Sequence, residues 1–363
     1  MFEVVVVGAG PSGVGISVIL KKLGLKFTVL ERHEVGSSFL KWPKQMRLLT
    51  PSFFSNAFRM IDLNAISYDT SPALSLQTEH PNGEEYADYL KKLVEHFELP
   101  IQKGINVESV SITKDGFVIS TNKGKIQSKF LIWSAGEFQY PNNNSFPGAK
   151  YCIHNSLIEN WDKIHGDEFF VIGGYESGMD SAINLAEHNK RVIVIDKTNF
   201  LSSEEIDPSR TISPYTKDRL RKINSKNTIE FHTGRVIKIE KNQSEFIIYT
   251  EKKKIHSKTQ PILATGFTGS LAMIKGLFYW KDGKAILNSY DESTKTPGLY
   301  VTGPLLQQRD MIFCFIYKFQ QRFAVIANHI GMKLSKDVSI IENYKKEGMY
   351  LENLDSIKDK CSC

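Results

Sequence analysis

Val4-Val5-Val6-Val7 is an unbroken β-branched run, the pattern of a parallel strand buried on both faces. A glycine-rich turn follows, then apolar spacing that predicts a helix from Pro11 to about Lys22, then a second strand, Phe27 to Leu30, ending at Glu31. The same order recurs near the middle of the chain. Phe169 to Ile172 reads as a strand, Gly173-Gly174 as a turn and Met179 to Glu187 as a helix opened by Gly178. Arg191 to Ile195 reads as a strand ending at Asp196. Two βαβ starts in one chain predict two nucleotide domains.

Each start leads into a similar continuation. After the first come a loop-rich excursion, Val35 to Thr78, and an amphipathic helix, Glu84 to Phe97. Strands at Asn106–Ile112, Phe117–Thr121 and Gly124–Ile132 then run into Ser134-Ala135-Gly136 and a Pro-flanked crossing, Pro141 to Gly148. After the second come a helix near Pro214–Ile223 and strands at Val236–Lys241, Glu245–Thr250 and Lys253–Ile262, ending in Leu263-Ala264-Thr265-Gly266-Phe267. One more buried strand, Gly298 to Gly303, and an apolar helix, Asp310 to Ile330, complete the plan. Phe313, Phe315, Tyr317, Phe319 and Phe323 cover more than one face of that helix. They read as core or as a subunit contact, which leaves a homodimer open.

Composition narrows the class. A chain of 363 residues, 41% hydrophobic and 24% charged, is long enough for two or three packed units and is not disordered. The net charge of +6 is spread along the chain, so no dedicated nucleic-acid face is expected. No apolar run approaches the ~20 residues of a membrane span, and Phe2 to Val7 runs into a glycine loop rather than a signal cleavage site. Four cysteines without framework spacing point to a reducing cytoplasm. Cys152 and Cys314 read as small buried apolar residues.

The glycines carry the chemistry. Gly8-Ala9-Gly10-Pro11-Ser12-Gly13 matches G-x-G-x-x-G. Gly8 permits the turn, Gly10 admits a pyrophosphate close to the backbone, and Gly13 lets helix pack on strand. Glu31 stands where a carboxylate accepts from a ribose 2′-OH. The second loop is altered at one position: Tyr175 replaces the middle glycine, with its ring expected toward the nicotinamide side. The intact loop suits a permanently held FAD, and the altered one a nicotinamide nucleotide that leaves after each turnover. Asp196 argues for NADH, whereas Lys197, Arg191 or Lys190 would suit NADPH.

GAGPSG, WPKQMRLLTP (Trp42 to Pro51), FPGAKYCIH (Phe146 to His154), GGYESG and LATGF together resemble two-dinucleotide-binding flavoproteins. The chain is most similar to the bacterial flavin-containing monooxygenase-like group, related to thioredoxin-reductase-like enzymes. The resemblance implies an α/β fold with two Rossmann-like domains of the three-layer ββα type. The FAD domain would comprise 1–140 and 268–345, with the NAD(P) domain (141–267) inserted in it and a tail at 346–363. It implies an oxidoreductase in which NAD(P)H reduces FAD, and a monooxygenase acting with O2 on a small organic substrate. Implied cofactor contacts are Gly8, Gly10, Pro11, Ser12, Gly13, Glu31, Arg32, Trp42, Gly136, Gly173, Gly174, Tyr175, Glu176, Ser177, Gly178, Asp196, Lys197, Thr265, Gly266 and Gly303. His154 and Arg47 are its candidates for steadying the cofactor or an oxygen adduct, and WPKQMRLLTP resembles the group's segment over the flavin.

Two departures stand out. In F-x-G-x-x-x-H the histidine position holds Cys152, with His154 two residues later. Gly303 is followed by Pro304 instead of an acid. The competing class is a thiol/disulfide reductase working through the terminal Cys361-Ser362-Cys363. A flavin-based redox sensor is the non-catalytic alternative. No C-x-x-C occurs, and the first loop carries Ser12 rather than a cysteine.

Overall fold

The computed structural model describes residues 1–53, 62–198, 200–202, 205, 207–224 and 228–354. These fall into two compact units. The first contains Met1–Leu40, Thr50–Glu137 and the chain from Gly269; the second contains Lys41–Leu49 and Phe138–Thr268. The fold is α/β, with a Rossmann-like parallel sheet in each unit.

The first unit is built on β1 (Phe2–Val7), β2 (Phe27–Glu31), β3 (Ile101–Lys103), β4 (Val107–Thr113), β5 (Gly116–Thr121) and β6 (Gly124–Trp133). Their order is β3-β2-β1-β6-β5-β4, with Leu299–Val301 also paired to β6. β6 serves two layers. Its first half, Gly124 to Ser128, pairs antiparallel with β5, and its second half, Ser128 to Trp133, pairs parallel with β1. The burial pattern follows: Gly124 and Lys125 are exposed, whereas Phe130 to Trp133 are buried like Val4 to Val7. Helix Pro11–Lys22 lies against helix Ile316–Lys333. A Cβ on Gly15 would sit 2.3 Å from the Phe323 ring, so glycine is what permits that approach.

In the long excursion, buried Asp62 accepts from the backbone N–H groups of Asn64 (2.9 Å) and Ala73 (2.8 Å) and from Ser71 Oγ (3.0 Å). These bonds satisfy the start of a short helix, Pro72–Leu76. Tyr86 and Tyr89, from helix Gly83–His96, hold the excursion at Asn64 O (2.7 Å) and Thr70 Oγ1 (2.7 Å).

The second unit contains β7 (Ile153–His154), β8 (Glu168–Ile172), β9 (Arg191–Asp196), β10 (Ile229–Thr233), β11 (Val236–Lys241), β12 (Phe246–Thr250), β13 (Lys254–Ser257) and β14 (Ile262–Leu263). Strands β10-β9-β8-β14-β7 form a parallel sheet, and β11-β12-β13 form an antiparallel one. Alternation along the parallel strands divides two cores. Phe169, Val171, Val192 and Val194 face helices Glu176–Glu187 and Pro214–Asn224, while Phe170, Ile172, Ile193 and Ile195 meet Ile239 and Ile248 of the antiparallel sheet.

Three sequence expectations differ. The strand expected at Lys253–Ile262 is two strands in two sheets, because Pro261 has no N–H to continue a ladder. The last long helix begins at Ile316, not Asp310. Arg309 takes a left-handed turn (φ 55°), so Gln307–Gln308 and Met311–Ile312 pair as a hairpin ahead of it. Cys314, in the turn between hairpin and helix, is exposed rather than buried. Phe313, Phe319 and Phe323 are core. Among the described residues, no helix is long and apolar enough to cross a membrane.

A fully buried ion pair ties the first unit together. Arg322 donates from Nε to Asp291 Oδ2 (2.7 Å) and from Nη2 to Asp291 Oδ1 (3.0 Å) and Ser289 O (2.6 Å), and Nη1 bonds Leu351 O. Arg322→Met should lower unfolding free energy by about 3–5 kcal/mol, because Asp291 is left buried and uncompensated. Urea denaturation reads this directly, and a loss under about 1 kcal/mol, the level of a surface pair, would contradict it.

Candidate functional site

Both glycine loops close around the same steric condition. A Cβ on Gly13 would lie 1.8 Å from the Gly8 carbonyl oxygen, and one on Gly178 would lie 1.8 Å from that of Gly173. Gly8 (φ 101°) and Gly173 (φ 105°) hold the left-handed turns that aim those carbonyls. Gly8 N donates to Leu30 O at 2.8 Å, and Gly173 N to Ile195 O at 3.0 Å. The strand-end acids complete each loop. Glu31 Oε2 accepts from Ala9 N at 2.8 Å, and Asp196 Oδ2 from Gly174 N at 2.7 Å. Glu31 Oε1 and Asp196 Oδ1 accept from His33 N (2.7 Å) and Thr198 N (2.6 Å).

The loops differ at their third position. A Cβ on Gly10 would meet nothing within 4 Å, so the space beside it is open, as a pyrophosphate cradle requires. Pro11 sits at the start of its helix, Ser12 is buried, and Gly303 (φ 90°) passes close enough that a Cβ there would lie 2.7 Å from Ser12 Oγ. Arg32 follows Glu31 at the end of β2. Gly136 (φ 64°) ends the first crossing, its carbonyl accepting from Ser270 N at 3.0 Å. These residues fit a dinucleotide along the first loop.

In the second loop, Tyr175 occupies the corresponding place. Its hydroxyl donates to Thr211 O (3.0 Å) and its ring lies 4.9 Å from that of Phe200. Tyr175 thus supports the loop 208–211 while also lining the cavity over the glycine loop. Glu176 is turned aside. Its Oε2 accepts from Thr216 Oγ1 (2.6 Å) and its Oε1 from Ser213 N, so it serves the start of helix Pro214–Asn224 rather than a phosphate.

A cavity of about 630 Å³ opens over this loop. Gly173, Gly174, Tyr175 and Ser177 form one side, with Asp196 and Lys197 at the end of β9, Thr265 and Gly266 on the return crossing, and Arg210 and Arg235 from other segments. Gly178 lies behind, at the helix–loop contact. Thr265 Oγ1 meets Ser145 Oγ at 2.5 Å. Backbone N–H groups at the helix start, an open cleft and nearby cations suit a second dinucleotide. Arg191 takes no part. It pairs with Glu168 (2.6 Å) and Glu230 (2.8 Å) at the opposite end of β9, where Lys190 also lies.

His154 is buried, with both ring nitrogens engaged: Nε2 donates to Gly266 O (3.0 Å), and Nδ1 meets Ser156 Oγ (2.8 Å) and accepts from Ser156 N (3.3 Å). Burial holds it below the usual histidine value, hence neutral. It therefore anchors the return crossing. The 3-10 turn Ala149–Tyr151 precedes it in the chain, and His154 pairs with Leu263.

Trp42 and Arg47 lie on Lys41–Leu49, a segment of the second unit. Lys44 N donates to Glu159 O (2.9 Å), Gln45 Nε2 donates to Asn160 Oδ1 (2.6 Å), and Trp42 packs near the Phe138 ring (6.4 Å). Burial pushes the Tyr215 phenol up; Arg219 pulls it back, Asp180 raises it, and the charge of Arg47 lowers it to a lesser degree. The structure does not bring Trp42 or Arg47 together with the first loop in one unit.

Two residues emerge that sequence reasoning missed. Arg210 and Arg235 line the cavity. Neither carried a signal in the sequence, because Arg235 reaches the cavity through the pairing of Thr233 with Asp196, which the order of residues does not show.

Gly10→Val and Gly13→Ala should separate cradle from scaffold. A Cβ at Gly10 meets no protein atom within 4 Å, so in Gly10→Val the melting temperature should hold while the dinucleotide is lost. Gly13→Ala strikes a carbonyl and should lose both. Melting curves and cofactor content after gel filtration check this, and a Gly10→Val protein that keeps its cofactor would contradict it.

Comparison with known proteins agrees with the geometry. Residues 195 long in match, 31% identical, align with the uncharacterized oxidoreductase CzcO of Bacillus velezensis, covering 52% of this chain and 52% of that one, so the match spans about half of that relative. Bacilliredoxin reductase Bdr of Bacillus subtilis is 23% identical over 307 residues, covering 83% of this chain and 89% of its own. Among solved structures, a flavin-containing monooxygenase from Stenotrophomonas maltophilia shares the fold with TM-score 0.73 at 16% identity, covering 92% of this chain and 99% of that one. The family model for pyridine nucleotide-disulphide oxidoreductases matches residues 5–303, and the chain belongs to that family, whose members work with FAD and NAD(P)H.

Proposed function

We propose that the first unit holds FAD, that the second receives NAD(P)H, and that the protein uses the reducing equivalents to oxygenate a small organic substrate with O2. The observation that supports the two nucleotides is the pair of cradles, open at Gly10 and reshaped at Tyr175. The balanced reaction consumes NAD(P)H, one proton, O2 and the substrate, and yields NAD(P)+, water and the oxygenated product.

A flavin bound along the first loop supplies two-electron chemistry and reactivity toward O2. The chain's own residues bind and orient. Gly8, Gly10 and Gly13 admit the pyrophosphate, with N–H groups of the helix start facing it. In the second unit His154 holds Gly266, and hence the floor of the cavity, in place.

Thiol chemistry finds less support at the first loop and at Cys152, while Cys314 is exposed. Ser12, not cysteine, stands in the first loop, and burial pushes the Cys152 thiol up to about 12, so no thiolate forms there at neutral pH. A second reading, disulfide reduction, is favoured by the likeness to bacilliredoxin reductase over most of the chain. Its candidate thiols, Cys361 and Cys363, lie outside the described residues.

Truncation before Cys361 tests the two readings. Under the oxygen reading, NAD(P)H oxidation requires O2 and is unchanged by truncation. Disulfide reduction without O2 that vanishes on truncation would establish the thiol reading instead, because only a thiolate carries electrons from flavin to a disulfide.

A further inference from the structure

We propose that a second cavity, in the first unit and built by neither glycine loop, binds a free α-amino acid with an apolar side chain. The cavity has a volume of about 580 Å³, within the range of small-molecule sites. Its walls come from segments 281–289, 307–310 and 352–354. The charges of the lining balance: Lys281, Lys284 and Arg309 stand with Asp282, Asp310 and Glu352.

Two hairpin tips bring the cations to this cavity. Trp280–Lys281 pairs with Lys284–Ala285 across a two-residue turn, Asp282-Gly283, in which both residues are left-handed (φ 49° and 76°). Lys281 and Lys284 are therefore directly opposite, and partners across a hairpin share a face. Like charges so placed repel. Among the described residues neither lysine pairs with a carboxylate, and Lys284 Nζ reaches only Arg309 O, at 3.5 Å. Arg309 is itself at the tip of the hairpin Gln307–Gln308 with Met311–Ile312, left-handed where glycine is the ordinary choice. A carboxylate bound at these tips relieves the repulsion.

The buried part of the lining presents the opposite chemistry. Gln308 is buried, and its Nε2 donates to Asn288 O (2.6 Å) and Asp291 Oδ1 (2.8 Å). Asn288 O only accepts, so the amide has one orientation, with both hydrogens engaged and Oε1 left as an acceptor for the cavity. An ammonium group satisfies that oxygen, and Asp310 and Glu352 favour it by charge. The Arg322–Asp291 pair braces all three walls: Asp291 holds Gln308, and Arg322 bonds Ser289 O and Leu351 O. A buried ion pair adds little stability over apolar packing, and its place here is explained by the site it braces. A ligand of one charge leaves half of this lining unanswered. A carboxylate and an ammonium on one small molecule answer both, while Ile286, Leu287 and Leu354 offer its side chain an apolar surface.

Calorimetric titration of the flavin-loaded protein with L-leucine and L-phenylalanine tests this. Each is compared with its deaminated analogue (4-methylpentanoate, 3-phenylpropanoate) and its decarboxylated one (3-methylbutylamine, phenethylamine). At least one amino acid should saturate a single site, and its two analogues should bind about tenfold more weakly or worse. The double variant Lys281→Ala, Lys284→Ala should weaken the amino acid on the order of tenfold to a hundredfold, the range for bonds between charged groups. Unchanged flavin absorbance and melting temperature show that it is folded, and the two single variants replace it if it is not. Saturating NADP+ should leave the amino-acid affinity unchanged, because the two cavities share no residue. The inference is overturned by any of four results: no saturable binding of either amino acid up to about 10 mM, an analogue as tight as its parent, undiminished affinity without the lysines, or displacement by NADP+.

Discussion

One carbonyl oxygen in each unit sets the terms for everything built around it. The Gly8 carbonyl points to where a Cβ of residue 13 would be, and the Gly173 carbonyl does the same at residue 178, each 1.8 Å from that position. Only glycine satisfies the contact, and it brings helix onto strand closely enough for the first N–H groups of the helix to face a phosphate. The strand-end acids then act within the protein before they act on any ribose. Glu31 and Asp196 each hold the second N–H of their loop at 2.8 and 2.7 Å. Loop, helix and acid are one hydrogen-bonded object, used twice.

Function diverges where that object leaves freedom. Gly10 keeps its space open, whereas Tyr175 spends its hydroxyl on Thr211 O and its ring on Phe200, and so stiffens the wall of the second cavity. Past the acids, Asn106 O and Arg235 O occupy matching places, each accepting from a backbone N–H at 3.1 Å, and there the first unit carries a half-buried amide where the second carries an exposed guanidinium. A site that keeps its nucleotide gains from close backbone contact. One that must release it is better served by exposed charges, which attract an anion at long range yet bind it with less desolvation.

The parts of the fold readable from sequence were those with local causes. The run Val4 to Val7, the spacing from Pro11 to Lys22 and the repeated strand–loop–helix order follow from burial and periodicity alone. Long-range pairing was not legible. Nothing in the order of residues says that β6 divides itself between two layers at Ser128, or that Arg309 turns left-handed and delays the last helix to Ile316. The glycines of the site were readable for the same local reason. The roles of polar side chains were not, because a hydroxyl or carboxylate can be claimed by a distant partner. Tyr175 and Glu176 are held by residues 33 to 40 positions away, and His154 by Gly266. Lys41–Leu49 associates with the second unit through bonds to Glu159 and Asn160, which its sequence gives no means to foresee.

The central claim is that two separate nucleotide sites coexist on one chain. Binding stoichiometry tests it most directly. Protein carrying its flavin, titrated with NADP+ in a calorimeter and then passed through gel filtration, should bind about one further nucleotide per chain and release no flavin. Flavin displaced in proportion to the NADP+ bound would mean that the two loops share one site, and would contradict the account.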